Sequence, residues 1–306
     1  MSRTARRWGM RERGDTTRRG MSRRVLLGTT VAAGTTALAG LVLTSATRQS
    51  EPPSVARRAA TSGPDPARAG VVIDRVYSAA RRREIDLVTI YPRDIPRRDL
   101  PVCLMLHGRF GNARAIGTLP EMLSSAVSEG AARPYAFVTV DGGNSYWHRN
   151  RPDDDPMTML LEEVPRWLAE RRLGGAAHRP FAVAGISMGG FGALLYARRR
   201  RERRDPVRAV AAISPALLLS WREMRKRDAF PDASDWAASD PLRNIDKLGD
   251  VPVGVWCGTE DRFIEGTRRF IREAKPVIGS TGPGAHNDDY YRRVLPEAIR
   301  FVGRHV

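Results

Sequence analysis

Cysteine is nearly absent: Cys103 and Cys257 are the only two in 306 residues. That excludes a disulfide framework of the kind that staples small secreted domains. Both lie in apolar, strand-like runs, "VCLML" and "VGVWC", where a thiol behaves as a small buried hydrophobe. Lysine is almost as scarce, for of 51 basic residues only Lys226, Lys247 and Lys275 are lysines. The formal charge of +17 is therefore carried by arginine, which suits a solvated surface or attraction to an anionic envelope. No stripe of basic and aromatic residues, no zinc finger and no RNA-recognition signature accompanies it, so nucleic acid is not an expected partner. Internal repeats are missing too, and no cofactor or metal motif is present.

The N-terminus reads as an address. Nine arginines precede Val25, and the pair Arg23-Arg24 stands directly before the 22 residues "VLLGTTVAAGTTALAGLVLTSA", Val25 to Ala46. This pattern resembles a twin-arginine export signal, which carries folded cargo, with small residues Thr44 and Ala46 where a signal peptidase cuts. No cysteine is available there for lipid attachment. A run of this length also fits an uncleaved membrane tether, and either reading places the following domain in the cell envelope or outside the cell. Residues 47–70 are rich in proline and small residues and read as a flexible linker. The expected organisation is thus a leader or anchor at 1–46, a linker at 47–70 and one domain at 71–306.

From Val71 on, short apolar runs alternate with helical periodicity. Strands are expected at Val71 to Tyr77, Glu84 to Tyr91, Val102 to Leu106, Ala136 to Val140, Phe181 to Ala184, Val207 to Ile213, Val253 to Cys257 and, weakly, Val277 to Ser280. Helices are expected at Ala113 to Ser128, Met157 to Arg172, Gly190 to Arg201, Gly266 to Lys275 and Asp288 to Arg304. Interior strands apolar at every position fit a parallel sheet covered on both faces, so the class is α/β, a mostly parallel, doubly wound sheet of about eight strands. The first two strands have no helix between them and read as an antiparallel edge hairpin. Pro165 should kink its helix, and Asp155 followed by Pro156 should begin it. Residues 215–250 are long for a connection, with Trp221, Met224, Phe230 and Trp236 among charges, and read as a small lid.

In such sheets the loops leaving the carboxyl ends of strands line the site. One of them, "GISMGG", sets Ser187 between a strand and a helix, flanked by Gly185 and Gly189. A bare Gly-x-Ser-x-Gly match is weak, but this context is that of a nucleophile elbow, and the Met188 amide at the helix start would face an oxyanion formed beside the serine. A serine hydroxyl needs a base. Of five histidines, His178 lies at the wrong end of its strand and His305 at the C-terminus. His107 precedes Gly108 and shapes a loop, and His148 sits in a long loop suited to substrate contact. His286, after the last strand, is left as the base. Asp261, after the penultimate strand, is the candidate orienting acid, with Glu260 its neighbour as the alternative. Tyr146 and Trp147 read either as core or as a wall for the acyl or aromatic part of a substrate.

The segments "LMLHGRFGN", "VDGGNSYWH", "GISMGGFGAL", "CGTEDRF" and "GAH" together resemble the esterase branch of the α/β-hydrolases, which includes esterase D, S-formylglutathione hydrolase, feruloyl esterases and the antigen 85 mycolyltransferases. The resemblance runs from about Val71 to Arg304. It implies an α/β-hydrolase fold, with Ser187 as nucleophile, Asp261 as acid, His286 as base and the amides of Met188 and Arg109 as oxyanion donors. Phe110, Tyr146, Trp147 and His148 are the candidate substrate contacts. The implied activity is hydrolysis of a small-molecule or cell-envelope ester through an acyl-enzyme. The other readings are acyl transfer to a sugar hydroxyl and a catalytically inactive binding protein of the same fold. Two departures stand out: only 25 residues separate Asp261 from His286, and the acid is Asp where the mycolyltransferases carry Glu.

Overall fold

The computed structural model describes residues 70–306. The leader or anchor expected at 1–46 and the linker expected at 47–70, Gly70 excepted, lie outside the described residues. In chain order the elements are β1 (Val71–Ser78), β2 (Arg83–Ile90), β3 (Val102–Leu106), α1 (Leu119–Ser128), β4 (Ala136–Val140), α2 (Pro156–Thr158), α3 (Val164–Glu170), β5 (Pro180–Ile186) and α4 (Met188–Glu202). They continue with β6 (Ala209–Ile213), α5 (Trp221–Met224), α6 (Ala233–Ser239), β7 (Val253–Gly258), α7 (Ile264–Ala274), β8 (Ile278–Gly282) and α8 (Asp288–Gly303).

All eight strands form one sheet in the order β1-β2-β4-β3-β5-β6-β7-β8. β1 pairs antiparallel with β2 over its full length, and β2 antiparallel with β4. Every later pairing is parallel. β3, β4, β6 and β7 are buried at every position, as strands covered by helices on both faces must be. The edge strands β1 and β8 alternate or are partly exposed.

Alternate strand residues feed two cores. Leu104, Leu106, Val183 and Val255 pack with α3, α4 and α7 on one face. Cys103, Met105, Ala184 and Trp256 pack with α1 and α8 on the other. α4 runs under the middle of the sheet and is buried almost throughout, from Met188 to Arg200. Its last turn carries Arg199, Arg200 and Arg201, a favourable match to the negative end of the helix. The chain leaves β3 for β4 on one side and crosses back to β5 on the other. The carboxyl ends of β3 and β5 therefore flank the crevice where such sheets bind ligands.

Three local expectations are modified. The helix expected from Ala113 begins only at Leu119, because the carboxylate of Asp141 takes the Ala113 N–H at 2.7 Å, the side chain of Asn112 takes the Arg114 N–H at 2.9 Å, and Gly117 turns through a positive φ. Asp155 caps α2 by accepting the Thr158 N–H at 2.9 Å. Between α2 and α3 the chain winds as a π-helix, Met159–Glu163. Pro165 has no N–H to donate to the preceding turn, and the wider turn absorbs the missing bond that a kink would otherwise mark. Residues 215–250 form the short helices α5 and α6 and bury Met224, Phe230, Trp236 and Leu242 in the first core. Of this segment only Arg227 lines the pocket at Ser187. Among the described residues no helix is long and apolar enough to cross a membrane.

Candidate active site

Ser187 sits on the turn between β5 and α4 with φ +58° and ψ −117°, angles that cost a non-glycine residue on the order of 1–3 kcal/mol. Two glycines make the turn possible. A Cβ on Gly185 would lie 2.1 Å from the Gly189 carbonyl oxygen, and one on Gly189 would lie 1.9 Å from that of Leu106. The turn is pinned from the neighbouring strand as well, with Ser187 N–H donating to Ile213 O at 2.9 Å and Ala216 N–H to Ser187 O at 2.9 Å.

β8 is short and brings His286 back to this turn. Thr259 N–H donates to Gly282 O at 2.8 Å and Glu260 N–H to Gly284 O at 3.0 Å, so the loops after β7 and β8 are stitched together. A Cβ on Gly258 would fall 2.0 Å from Gly284 O, which is why this strand ends in glycine. Asn287 then caps α8 through the Tyr290 N–H. The 25-residue step from Asp261 to His286 thus suffices for one helix, one strand and the return.

His286 Nδ1 is 2.7 Å from Asp261 Oδ2, and its Nε2 is 2.8 Å from Ser187 Oγ. Asp261 is buried, with only 2% of its surface exposed. Burial pushes its carboxyl up, but the hydrogen bonds from His286 and from the Phe263 N–H outweigh that and hold it below the ordinary value. An ionised carboxylate can only accept, so Nδ1 carries the proton and Nε2 is the acceptor for the Ser187 hydroxyl. The edges of Phe263 and Tyr291 pack against the imidazole at centroid distances of 5.0 and 5.5 Å. Glu260, next in sequence, is exposed and makes no contact of this kind.

The loop after β3 runs close beside Ser187. His107 is buried and accepts the Gly142 N–H on Nε2 at 2.9 Å, while its Nδ1–H donates to Gly108 O at 2.8 Å. Burial lowers its pKa, so it stays neutral and acts as a brace. Gly108 approaches so closely that a Cβ there would touch the Ser187 Cβ at 3.4 Å. Among the described residues, the Met188 and Arg109 amides have no hydrogen-bond acceptor, whereas the Phe110 N–H is taken by Asn144 Oδ1 at 2.7 Å.

A cavity of about 370 Å³ opens over Ser187. Phe110, 77% exposed, and Tyr146 line it. Trp147 and His148 do not, and the expectation that they contact substrate is corrected. Trp147 is fully buried: its ring fills the space left by Gly142 and Gly192, and its Nε1–H points to His107 O. His148 stacks on Phe230 at 4.0 Å and reaches Ala229 O. Arg227, Arg262, Phe263, Tyr291 and Leu295 also line the cavity and were missed. Phe263 was within reach of sequence reasoning, since it follows the acid loop by two residues. Arg227 was not, because nothing local distinguishes it from its basic neighbours. Among the described residues no cluster of side chains is arranged to hold a metal ion.

An eight-stranded, mostly parallel sheet with a serine elbow after its central strand defines an α/β-hydrolase fold. A family model described as "Putative esterase" matches residues 78–274, and the chain belongs to that family; it is an ester hydrolase by that membership. The match ends before β8 and His286. No curated protein matches the sequence. Among solved structures, a ferulic acid esterase is similar over 77% of this chain and 98% of its own, at 24% identity and a TM-score of 0.64. An S-formylglutathione hydrolase from Agrobacterium tumefaciens covers 77% of this chain and 95% of its own, at 16% identity and a TM-score of 0.60. MPT51 of Mycobacterium tuberculosis covers 77% and 99%, at 17% identity and a TM-score of 0.59. At these identities the likeness is one of fold.

Proposed function

We propose that the protein is an exported serine esterase that cleaves carboxylic esters through an acyl-enzyme on Ser187. The observation that carries this reading is His286, which lies within hydrogen-bond distance of both Ser187 Oγ and Asp261 Oδ2. As an ester carbonyl carbon approaches, Ser187 Oγ attacks it and gives its proton to His286 Nε2. The imidazolium that results is stabilised by the ionised Asp261 across the 2.7 Å contact. The carbonyl oxygen becomes an anion, and the Met188 and Arg109 amides, which have no other acceptor, are its donors; loss of one such donor typically costs ~10²–10³ in rate. Collapse of this tetrahedral species expels the alcohol, which takes the proton from His286 Nε2. Water then enters, loses a proton to the same nitrogen and attacks the acyl carbon; collapse of this second tetrahedral species releases the acid, and Ser187 Oγ takes the proton back from Nε2. No step needs a metal or an organic cofactor.

The leader supports a site of action outside the cytoplasm, because Arg23-Arg24 before a weakly apolar run is the pattern read by a pathway for folded cargo. Treatment with a fluorophosphonate tests the assignment of Ser187. One equivalent of label should enter the native chain on Ser187 with loss of ester hydrolysis, and Ser187→Ala should block both. Product analysis in the presence of a sugar acceptor in the same assay separates hydrolysis from acyl transfer.

A further inference from the structure

The cavity over Ser187 is not uniform. Met105, Ile116, Leu119, Ile186 and Leu295 line one half, and all five belong to the core on the α1 and α8 face of the sheet. Tyr146 and Phe263 line the other half and belong to the opposite core. Ser187 stands on the crest between them. Arg109, Arg227 and Arg262 also line the cavity, the guanidinium groups of Arg227 and of the exposed Arg262 lying over the Phe263 ring.

These arginines come from three separate loops, after β3, after α5 and after β7, and they are not spent on one another's charges. Arg109 donates through Nη2 to the Arg227 carbonyl oxygen at 2.9 Å, a contact with main chain. The Nε atoms of Arg109 and Arg227 are both buried and lack any hydrogen-bond partner. Their remaining contacts are aromatic: Arg109 lies over Phe110 at 4.6 Å, and Arg227 and Arg262 over Phe263 at 5.9 and 5.6 Å. Among the described residues none of the three forms a salt bridge, unlike Arg81, Arg114, Arg171 and Arg198. Asp288 is the one carboxylate in the lining, and it is exposed at the start of α8. All three arginines also act electrostatically on the buried Tyr146 hydroxyl: burial raises its pKa, and Arg227, Arg109 and Arg262 pull it back down.

A buried guanidinium nitrogen without an acceptor is costly unless something supplies one. An arginine-faced compartment beside an apolar one therefore describes a bipartite ligand. We propose that the esterase is selective for esters that carry a carboxylate or phosphate group, bound by Arg109, Arg227 and Arg262 on one side of the scissile bond, with an apolar group housed by Met105, Ile116, Leu119 and Leu295 on the other. The proposal rests on the reading of Ser187 as the nucleophile for the location of the scissile bond, but the anion site can be measured without turnover. Arginine presents paired donors to either anion, and the two sources differ in charge and geometry, so each is tested.

The experiment has two arms on the full chain. In the first, benzoate, phenyl phosphate and neutral benzyl alcohol are titrated calorimetrically into Ser187→Ala. At least one anion should bind ~10-fold or more tightly than the alcohol, the better of the two identifies the group, and binding should weaken as salt rises from ~0.05 to ~0.5 M. Arg227→Gln combined with Arg262→Gln should abolish the difference. In the second, kcat/KM is compared within isosteric pairs: 4-nitrophenyl hemiglutarate against its methyl ester, and 3-butyryloxybenzoate against its methyl ester. One pair should favour the anion by ~10-fold or more, and Arg262→Glu should turn that preference toward the neutral partner. Anions that bind no better than benzyl alcohol, or a preference that survives the double substitution, overturn the anion site. Failure of every ester to turn over while the binding difference remains overturns the hydrolase reading and leaves the anion site standing.

Discussion

The backbone of Gly189 rests against the carbonyl oxygen of Leu106, so that a Cβ at 189 would lie 1.9 Å from it. This contact joins the first turn of α4 to the end of β3, and with it the serine turn to the loop His107-Gly108-Arg109. The proposed nucleophile and the proposed oxyanion loop are on segments about 80 residues apart in the chain, and their relative position depends on two backbones touching. Gly189→Ala must push them apart. Because both partners are backbone, it is expected to destabilise by roughly 2–4 kcal/mol or to prevent soluble folding. Gly282→Ala is the control: a Cβ there meets nothing within 4 Å, and its effect should be below ~1 kcal/mol. Urea denaturation of the two variants gives the comparison, and equal midpoints would show that the close approach carries no constraint.

Removal of triad members should have graded effects. Ser187→Ala is expected to lower kcat by ~10⁴–10⁶, with little change in stability, since alanine carries the same Cβ at the strained φ. Asp261→Asn changes an acceptor-only group into one that can donate to Nδ1, so His286 is held in the wrong tautomer, and kcat should fall by about 10⁴. KM should move little in either variant. A drop in kcat below tenfold for Asp261→Asn would show that Asp261 does not control the imidazole.

The proposed export signal makes a separate prediction about location. Arg23→Lys together with Arg24→Lys preserves charge but removes the pair that a twin-arginine pathway reads. Cell fractionation should find the wild-type chain outside the cytoplasm and the double variant retained inside, folded and able to react with a fluorophosphonate. Equal export of both would assign the leader to a different route.

Ser187 and Asp261 could be placed from the sequence because each stands just after a strand whose apolar run announces it, whereas His286 follows β8, a partly exposed edge strand with only a weak signal. "FAVAGI" marked the loop origin at Ser187 and "VGVWC" that at Asp261, while "VCLML" marked the loop of His107 to Arg109. Trp147 and His148 were not legible in the same way. They stand in a loop whose polar content suggests a surface, yet Tyr146 and Trp147 adopt φ of +57° and +63° and turn inward. The signal that decides this is non-local: Gly142 and Gly192, 50 residues apart, jointly vacate the volume that the indole fills. Helix starts fail for a similar reason. Nothing near Ala113 reveals that Asp141, from another strand end, will take its N–H.

The π-helix beside Pro165 has a consequence for stability. It places Glu163 in the interior, where Oε2 accepts from Ser78 Oγ at 2.5 Å and Oε1 from Ala80 N–H at 2.9 Å. The carboxylate thereby ties the end of β1 and the β1–β2 turn to the helix layer. Glu163→Ala leaves both donors unpaired in a buried setting, with an expected cost of ~2–4 kcal/mol. Glu163→Gln retains one acceptor oxygen and should cost less. If the Ala variant melts with the wild type, the two hydrogen bonds contribute nothing net.

Asp240 gives the domain a pH dependence of its own. Its side chain is buried at 2% exposure, and Oδ1 accepts the Leu242 N–H at 3.1 Å, while Arg243 Nε lies 3.4 Å from Oδ2. Burial raises its pKa from 3.8 to about 6, against smaller downward pulls from the Leu242 amide and Arg243. Between these two values the native state binds more protons than the unfolded one, so stability falls as pH rises through the window and levels off above about 6. A tenfold difference in proton affinity between the folded and unfolded chains is worth ~1.4 kcal/mol, and relaxation around the buried carboxylate reduces the realised effect to about 1–2 kcal/mol. Asp240→Asn keeps the acceptor for Leu242 and removes the titration. The stability gap between the Asn variant and wild type should therefore grow in favour of Asn from about pH 4 to about pH 7.5, by ~2–8 °C in Tm. A gap that stays constant across that range would mean that Asp240 titrates alike in the folded and unfolded chains, and that its burial is fully compensated by the groups around it.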